Sequence, residues 1–76
     1  NHLTFYVVKP KSPVAGKTIA AAELRGLTGL YLFEIRRGEQ LIPAPGSEFV
    51  LQEGDVLVFT GNVSSVKDLW LTDGLA

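Results

Sequence analysis

The chain has 76 residues, which is the size of one small domain. Its 46% hydrophobic and 20% charged residues are typical of a folded domain and exclude a disordered segment. It has no cysteine and one histidine, so disulfides, thiolate chemistry and histidine-cluster zinc sites are excluded. Its apolar runs are far shorter than the roughly 20 residues that span a bilayer. These features predict a domain that folds in an aqueous, reducing compartment.

The charges are unevenly distributed along the chain. Residues 1–38 hold six basic and two acidic residues, a net charge of +4, whereas residues 39–76 hold one basic and six acidic residues, a net charge of −5. Because nucleic-acid-binding domains usually carry a basic excess, we expect no nucleic-acid partner. The basic half suits a small anionic ligand, but the two halves could equally neutralise each other in the fold.

The first half of the chain predicts a strand, a helix and a second strand. Residues 3–8 are rich in β-branched and aromatic side chains and predict a strand. The alanine-rich run 19–25 predicts a short helix, with Thr18 as its N-cap. Residues 30–35 predict the strongest strand, and both of its faces are largely apolar. Each face must therefore be shielded from water. One helix can cover one face, and in so small a chain the other face needs a second helix or a second subunit.

The second half predicts three more strands and a closing helix. Residues 36–39 form a turn, and strands are predicted at 40–42, 49–51 and 56–60. Asn62 is the predicted N-cap of a last helix, and the residues after it carry the apolar stripe expected of a helix with one buried face. The order β-α-β-β-β-β-α predicts a single α+β two-layer domain over residues 1–76.

No set of residues predicts catalysis. Residues 16–18 (Gly-Lys-Thr) suggest a phosphate-binding loop, but Lys11 stands where that loop needs its first glycine. Glu53 and Asp55 lie in a predicted turn, where both are expected to be solvated and nothing would separate their pKa values. The sequence therefore predicts a binding or regulatory module that is not an enzyme and has no metal site.

Three arginines are candidate ligand contacts, because guanidinium groups suit phosphate and carboxylate. Arg25 ends the predicted first helix, and Arg36 and Arg37 end the strongest strand. If that helix and strand are neighbours, the three cations border one pocket. The alternative is a solvated turn with ordinary surface ion pairs.

The apolar face of the strongest strand is the candidate partner surface. Tyr31, Phe33 and Ile35 alternate along residues 30–35 and so share one face of a regular strand. Since one helix layer covers only one side of the sheet, we expect these three residues to form a dimer interface.

An ordered set of motifs resembles a known family. It consists of Ser12-Pro13, residues 16–18 (Gly-Lys-Thr), residues 35–38 (Ile-Arg-Arg-Gly), Ile42-Pro43 and residues 54–58 (Gly-Asp-Val-Leu-Val). This set resembles the TrkA-C domain, also called RCK-C, the C-terminal part of regulators of potassium conductance. The resemblance covers about residues 4–70.

The resemblance implies a dimer-forming β-α-β-β-β-β-α domain. It implies a cytosolic part of a membrane transport protein, either a potassium channel or uptake system, or a loop of a sodium-coupled sulfate or other anion symporter. We expect the symporter, because residues 29–62 resemble the copies found there. The partners implied are a second or tandem copy of the domain and the membrane portion of a parent protein from which this chain looks excised.

The resemblance also implies a ligand. Family members sense small ligands, and some bind cyclic di-AMP where two copies meet. Arg25 stands where nucleotide-binding members have an arginine, but Tyr31 replaces a small polar residue and would partly fill that pocket. The candidate ligand-binding residues are thus Arg25, Tyr31, Arg36 and Arg37. No Gly-x-Gly-x-x-Gly fingerprint is present, so the NAD-binding half that often precedes this domain is not expected within this sequence. No cofactor is expected. A purely structural dimerisation module is the alternative.

Overall fold

The computed structural model describes residues 2–25 and 29–61. These residues form one four-stranded sheet in the order β1-β4-β2-β3. The strands are β1 (His2–Val7), β2 (Leu30–Arg37), β3 (Gln40–Pro43) and β4 (Val56–Gly61). Every neighbouring pair is antiparallel, and β4 lies between β1 and β2. The sequence predicted these four strands, and the structure confirms them to within one or two residues.

The inner face of the sheet holds the core. Tyr6 of β1 and Phe59 of β4 meet edge-to-face there, with their ring centres 6.1 Å apart. Leu57 of β4 and Leu30 and Ile35 of β2 are also buried there. The rest of the core comes from the connecting segments, namely Val8, Val14, Ile19, Ala22, Leu24 and Leu51. The sheet is therefore covered on this side by chain that lies between its strands.

Two connecting segments, residues 9–25 and 44–55, hydrogen-bond to each other in this covering layer. The Gly16 amide donates to the Leu51 carbonyl at 2.7 Å, and the Leu51 amide donates to the Lys17 carbonyl at 2.8 Å. Thr18 and Val50 form an isolated antiparallel bridge. Residues 49–51, predicted as a strand, contribute this bridge instead of a full strand.

Hydrogen-bonded turns replace the helix predicted at residues 19–25. The amides of Ile19 and Ala20 donate to the carbonyls of Phe49 and Ser47 across the layer, and Glu23 has a φ of 59°. Those cross-layer bonds outweigh the helix propensity of the alanines, and the left-handed residue prevents continuation. The Thr18 hydroxyl accepts a hydrogen bond from the Ala21 amide at 3.1 Å, the contact expected of an N-cap, but residues 19–25 form no helix for it to cap.

The α-helical part of the predicted fold is therefore not seen in residues 2–25 and 29–61. The closing helix predicted from Asn62 onward lies outside the described residues. Over the same two ranges, the structure contains no helix with the length and apolarity required to cross a bilayer.

The opposite side of the sheet, here called the outer face, is apolar and exposed. Cross-strand partners lie on the same face, so the register places members of β1, β4, β2 and β3 together on it. Its large exposed apolar side chains, each 45–70% exposed, are Leu3, Phe5, Val7, Tyr31 and Leu41. Phe33, which is 48% exposed, adjoins them at a bulge in β2.

Candidate ligand cavity

A cavity of about 450 Å³ opens between the first half of β2 and the loop after β3. This volume lies within the range of small-molecule sites in proteins. Most of the lining side chains are apolar. The lining residues are Arg25, Leu30, Tyr31, Leu32, Phe33, Pro43, Ala44, Pro45 and Gly46.

The cavity exists because β3 is shorter than β2. The last residue of β3, Pro43, pairs with Glu34, whereas β2 begins four residues earlier, at Leu30. After Pro43 the chain turns away, with Ala44 at a φ of 43° and its amide donating to the Phe33 carbonyl at 3.0 Å. Two prolines stiffen this turn. Among residues 2–25 and 29–61, no strand pairs with this flank of β2 between Leu30 and Leu32, and the flank, here called the open flank, borders the cavity.

Arg25 gives the cavity its charge. It is exposed, and among the described residues that line the cavity it is the one with a charged side chain. The ion pairs found within residues 2–25 and 29–61 do not involve it. Tyr31, 70% exposed, stands at the same opening. The structure thus brings together two of the four predicted ligand residues, in a site suited to an anion with an apolar body.

Arg36 lies on the outer face, away from the cavity lining. Its Nε donates to Oε2 of Glu34 at 2.8 Å, and its guanidinium lies 5.1 Å from the centre of the Phe5 ring. Glu34 is buried, with 5% of its surface exposed. Arg36 therefore neutralises a buried carboxylate and covers an aromatic ring.

Arg37 also has a partner inside the fold. Its Nε and Nη2 each donate at 2.8 Å to the two carboxylate oxygens of Asp55, and Nη2 donates to the Val50 carbonyl at 3.0 Å. Its guanidinium lies 4.9 Å from the centre of the Phe49 ring. The hydrogen bonds to Asp55 raise the pKa of Arg37 above its ordinary value. The described contacts of Arg37 are thus structural.

The sequence reasoning missed the role of Asp55. This carboxylate was expected to be solvated in its turn, yet it is fully buried and also accepts a hydrogen bond from the Gln52 amide at 2.9 Å. That expectation is wrong because the partner, Arg37, lies 18 positions away, and turn chemistry says nothing about so distant a contact. The available signal was its position, directly before a strand that begins with four apolar residues.

The three residues predicted for a dimer interface do not share one face. Tyr31 and Phe33 are exposed, whereas Ile35 is fully buried in the core. Leu32 pairs with Phe59 and Glu34 with Val58, so Phe33 is an extra residue in β2. This bulge shifts the alternation of side chains, and Ile35 points to the inner side.

Comparison with known proteins identifies relatives of this chain. The model of the family described as the TrkA-C domain matches residues 3–69. A Methanocaldococcus jannaschii protein named as probable potassium channel protein 2 is 34% identical over 64 residues. A Bradyrhizobium diazoefficiens protein named as an uncharacterized transporter is 41% identical over 68 residues. These matches cover 84% and 88% of this chain, but it spans only 19% and 13% of the two relatives.

A solved structure supports the same fold. The RCK_C domain dimer of S. agalactiae BusR in complex with c-di-AMP superposes with a TM-score of 0.80, and the match covers 95% of both chains. The identity is 22%, so this likeness concerns the fold alone. The fold is therefore that of a small RCK_C-like domain built mostly from an antiparallel sheet.

Proposed function

This chain belongs to the TrkA-C domain family, and we propose that it is the regulatory, non-enzymatic domain of an ion transport protein, lying on the cytoplasmic side of the membrane. The relatives named as a potassium channel and a transporter support this proposal. Of the two parent classes, we favour a sodium-coupled sulfate or other anion symporter over a potassium transport system. The reason is the resemblance of residues 29–62 to the copies found in sulfate-type symporters.

The regulatory step that we propose is the binding of a small anionic ligand or nucleotide in the cavity. The observation that carries this proposal is the placement of Arg25 and Tyr31 at one opening lined mainly by apolar side chains. A guanidinium with no ion pair among the described residues attracts phosphate or carboxylate, and the aromatic and proline side chains offer contact to an apolar body.

A thermal-shift screen tests this function. The unmodified chain and its Arg25→Gln variant are each heated without a ligand and with cyclic di-AMP, other nucleotides, sulfate or phosphate, and their melting temperatures are compared. A ligand at a hundredfold excess over its Kd should stabilise the chain by about 2.7 kcal/mol. Arg25→Gln should remove most of that shift, whereas Lys9→Gln, which removes an exposed cation outside the cavity lining, should preserve it. No shift with any of these compounds would contradict ligand sensing.

A second candidate function is that of a structural dimerisation module without a ligand. The outer face supports it, because an exposed apolar patch of this kind marks an interaction surface. The partner is a second copy or a tandem copy of the same domain. A stable dimer combined with a flat thermal-shift screen would favour this alternative over ligand sensing.

A further inference from the structure

The open flank of β2 is a hydrogen-bonding edge as well as a cavity wall. Between Leu30 and Leu32 the strand pairs with β4 on one side. On the other side, within the described part of the chain, the bond next to this stretch is the one from the Ala44 amide to the Phe33 carbonyl. Successive residues of a strand direct their amide and carbonyl groups to alternate flanks. Part of this stretch therefore presents backbone groups to the cavity.

The side chains along this edge lie alternately on the inner and the outer side of the sheet, the arrangement that an added strand would meet. Leu30 is buried at the inner side, while Tyr31 and Phe33 are exposed at the outer side. The loop from Pro43 to Gly46 bounds the far wall. A segment laid along the edge would place alternate side chains against the aromatic rings and against the apolar inner side.

We propose that this edge binds an extended peptide segment that carries a carboxylate, which adds to the sheet as a strand beside β2 and pairs its carboxylate with Arg25. This extends the proposed function, because it gives the same cavity a protein partner whose binding excludes the small ligand. Main-chain hydrogen bonds would hold the segment, and the charge of Arg25 would select it.

Charge argues for a separate acidic segment over a second copy of β2. Residues 30–33 contain no acidic side chain, and the carboxylate of Glu34 is already bound to Arg36. A second β2 placed on this edge would thus bring no free carboxylate to Arg25. The occupant is accordingly a segment with aspartate, glutamate or a chain terminus at that position.

Selection from a displayed library of random heptapeptides tests the proposal. The chain and its Arg25→Gln variant are the two baits, with Lys9→Gln as the matched control. The most enriched peptide is then synthesised with N-methyl groups on its odd or on its even residues, which removes the amide donors along one edge at a time. Kd values are measured by fluorescence anisotropy.

The expected result is enrichment of acidic peptides on the chain and on Lys9→Gln. Arg25→Gln should raise the Kd of the best peptide roughly tenfold. N-methylation of either its odd or its even residues should have the same effect, while N-methylation of the other residues leaves the Kd unchanged. No enrichment, or a Kd unchanged by both Arg25→Gln and N-methylation, would overturn the proposal. If the thermal shifts with nucleotides or anions survive in that case, ligand sensing stands without the peptide partner.

Discussion

Asp55 is a fully buried carboxylate in a domain of only 76 residues. Burial of a charge is costly unless the charge is paired and hydrogen-bonded. Here two bonds from Arg37 and one from the Gln52 amide satisfy both carboxylate oxygens. Since Arg37 ends β2 and Asp55 directly precedes β4, the pair fixes the end of one strand against the start of the next.

Asp55→Asn should lower the free energy of unfolding by about 1–3 kcal/mol, because it leaves the partly buried guanidinium of Arg37 without its counter-charge. Urea denaturation measures the change. Glu53→Gln, two positions earlier and exposed, is the control and should stay within about 0.5 kcal/mol of the parent. If the two variants had equal free energies of unfolding, the Arg37–Asp55 pair would contribute nothing to stability.

The effect of Asp55→Asn should be the same at about pH 7 and about pH 9. Since the pKa of Arg37 is raised in the fold, mainly by the hydrogen bonds to Asp55, its stabilising contribution is fully present below the ordinary pKa of arginine. It would be lost only as the pH rises through the raised value. The urea midpoints of the parent chain and of Asp55→Asn are measured at both pH values. A difference between the two proteins that shrinks at the higher pH would contradict this prediction.

At the scale of elements, the strands were predictable and the covering layer was not. Runs of β-branched and aromatic residues gave β1, β2 and β4, since a strand of that kind is visible in a local window. The helix prediction for residues 19–25 failed because the amides of Ile19 and Ala20 donate to the carbonyls of Phe49 and Ser47, in a segment roughly 30 positions away. Local propensity carries no information about such partners.

The candidate site was only half predictable, for a related reason. Arg25 was predicted from the chemistry of its guanidinium as well as from the family resemblance, and Tyr31 from the resemblance alone. Both line the cavity. The bulge at Phe33 and the burial of Ile35 depend on pairing with β4, which a period-two pattern does not encode. The open flank of β2 likewise depends on where β3 ends along β2, and the local sequence does not encode this pairing.

Gly61→Ala should destabilise the sheet more than Gly38→Ala does. A Cβ at Gly61, whose φ is 135°, would collide with the backbone carbonyl of Gly29, and backbone cannot move aside as a flexible side chain can. Gly38, in the β2–β3 turn, has a φ of 59° with open space around it, so its substitution costs about 1 kcal/mol of conformational strain. Urea denaturation of both variants measures their free energies of unfolding. A similar loss of stability in the two variants would contradict a steric role for Gly61.

At the scale of the whole molecule, the two faces of the sheet have different roles. The inner face is covered by the chain's own connecting segments. The outer face exposes large apolar side chains from three strands, with the Glu34–Arg36 pair among them. If a second copy packs on the outer face, as in the second proposed function, this paired charge would favour one defined partner, because an incorrect partner would leave the charge desolvated.

Phe33→Glu should convert a dimer into a single chain without unfolding it. Phe33 is 48% exposed, so glutamate meets solvent in the free chain but would be buried unpaired between two copies. Light scattering across a dilution series measures the mass, and the urea midpoint checks the fold. Val50→Glu is the matched control, since Val50 is 45% exposed and lies outside the outer face. If Phe33→Glu has the mass of the parent at every dilution, the interface does not include Phe33, and the dimerisation role loses its support.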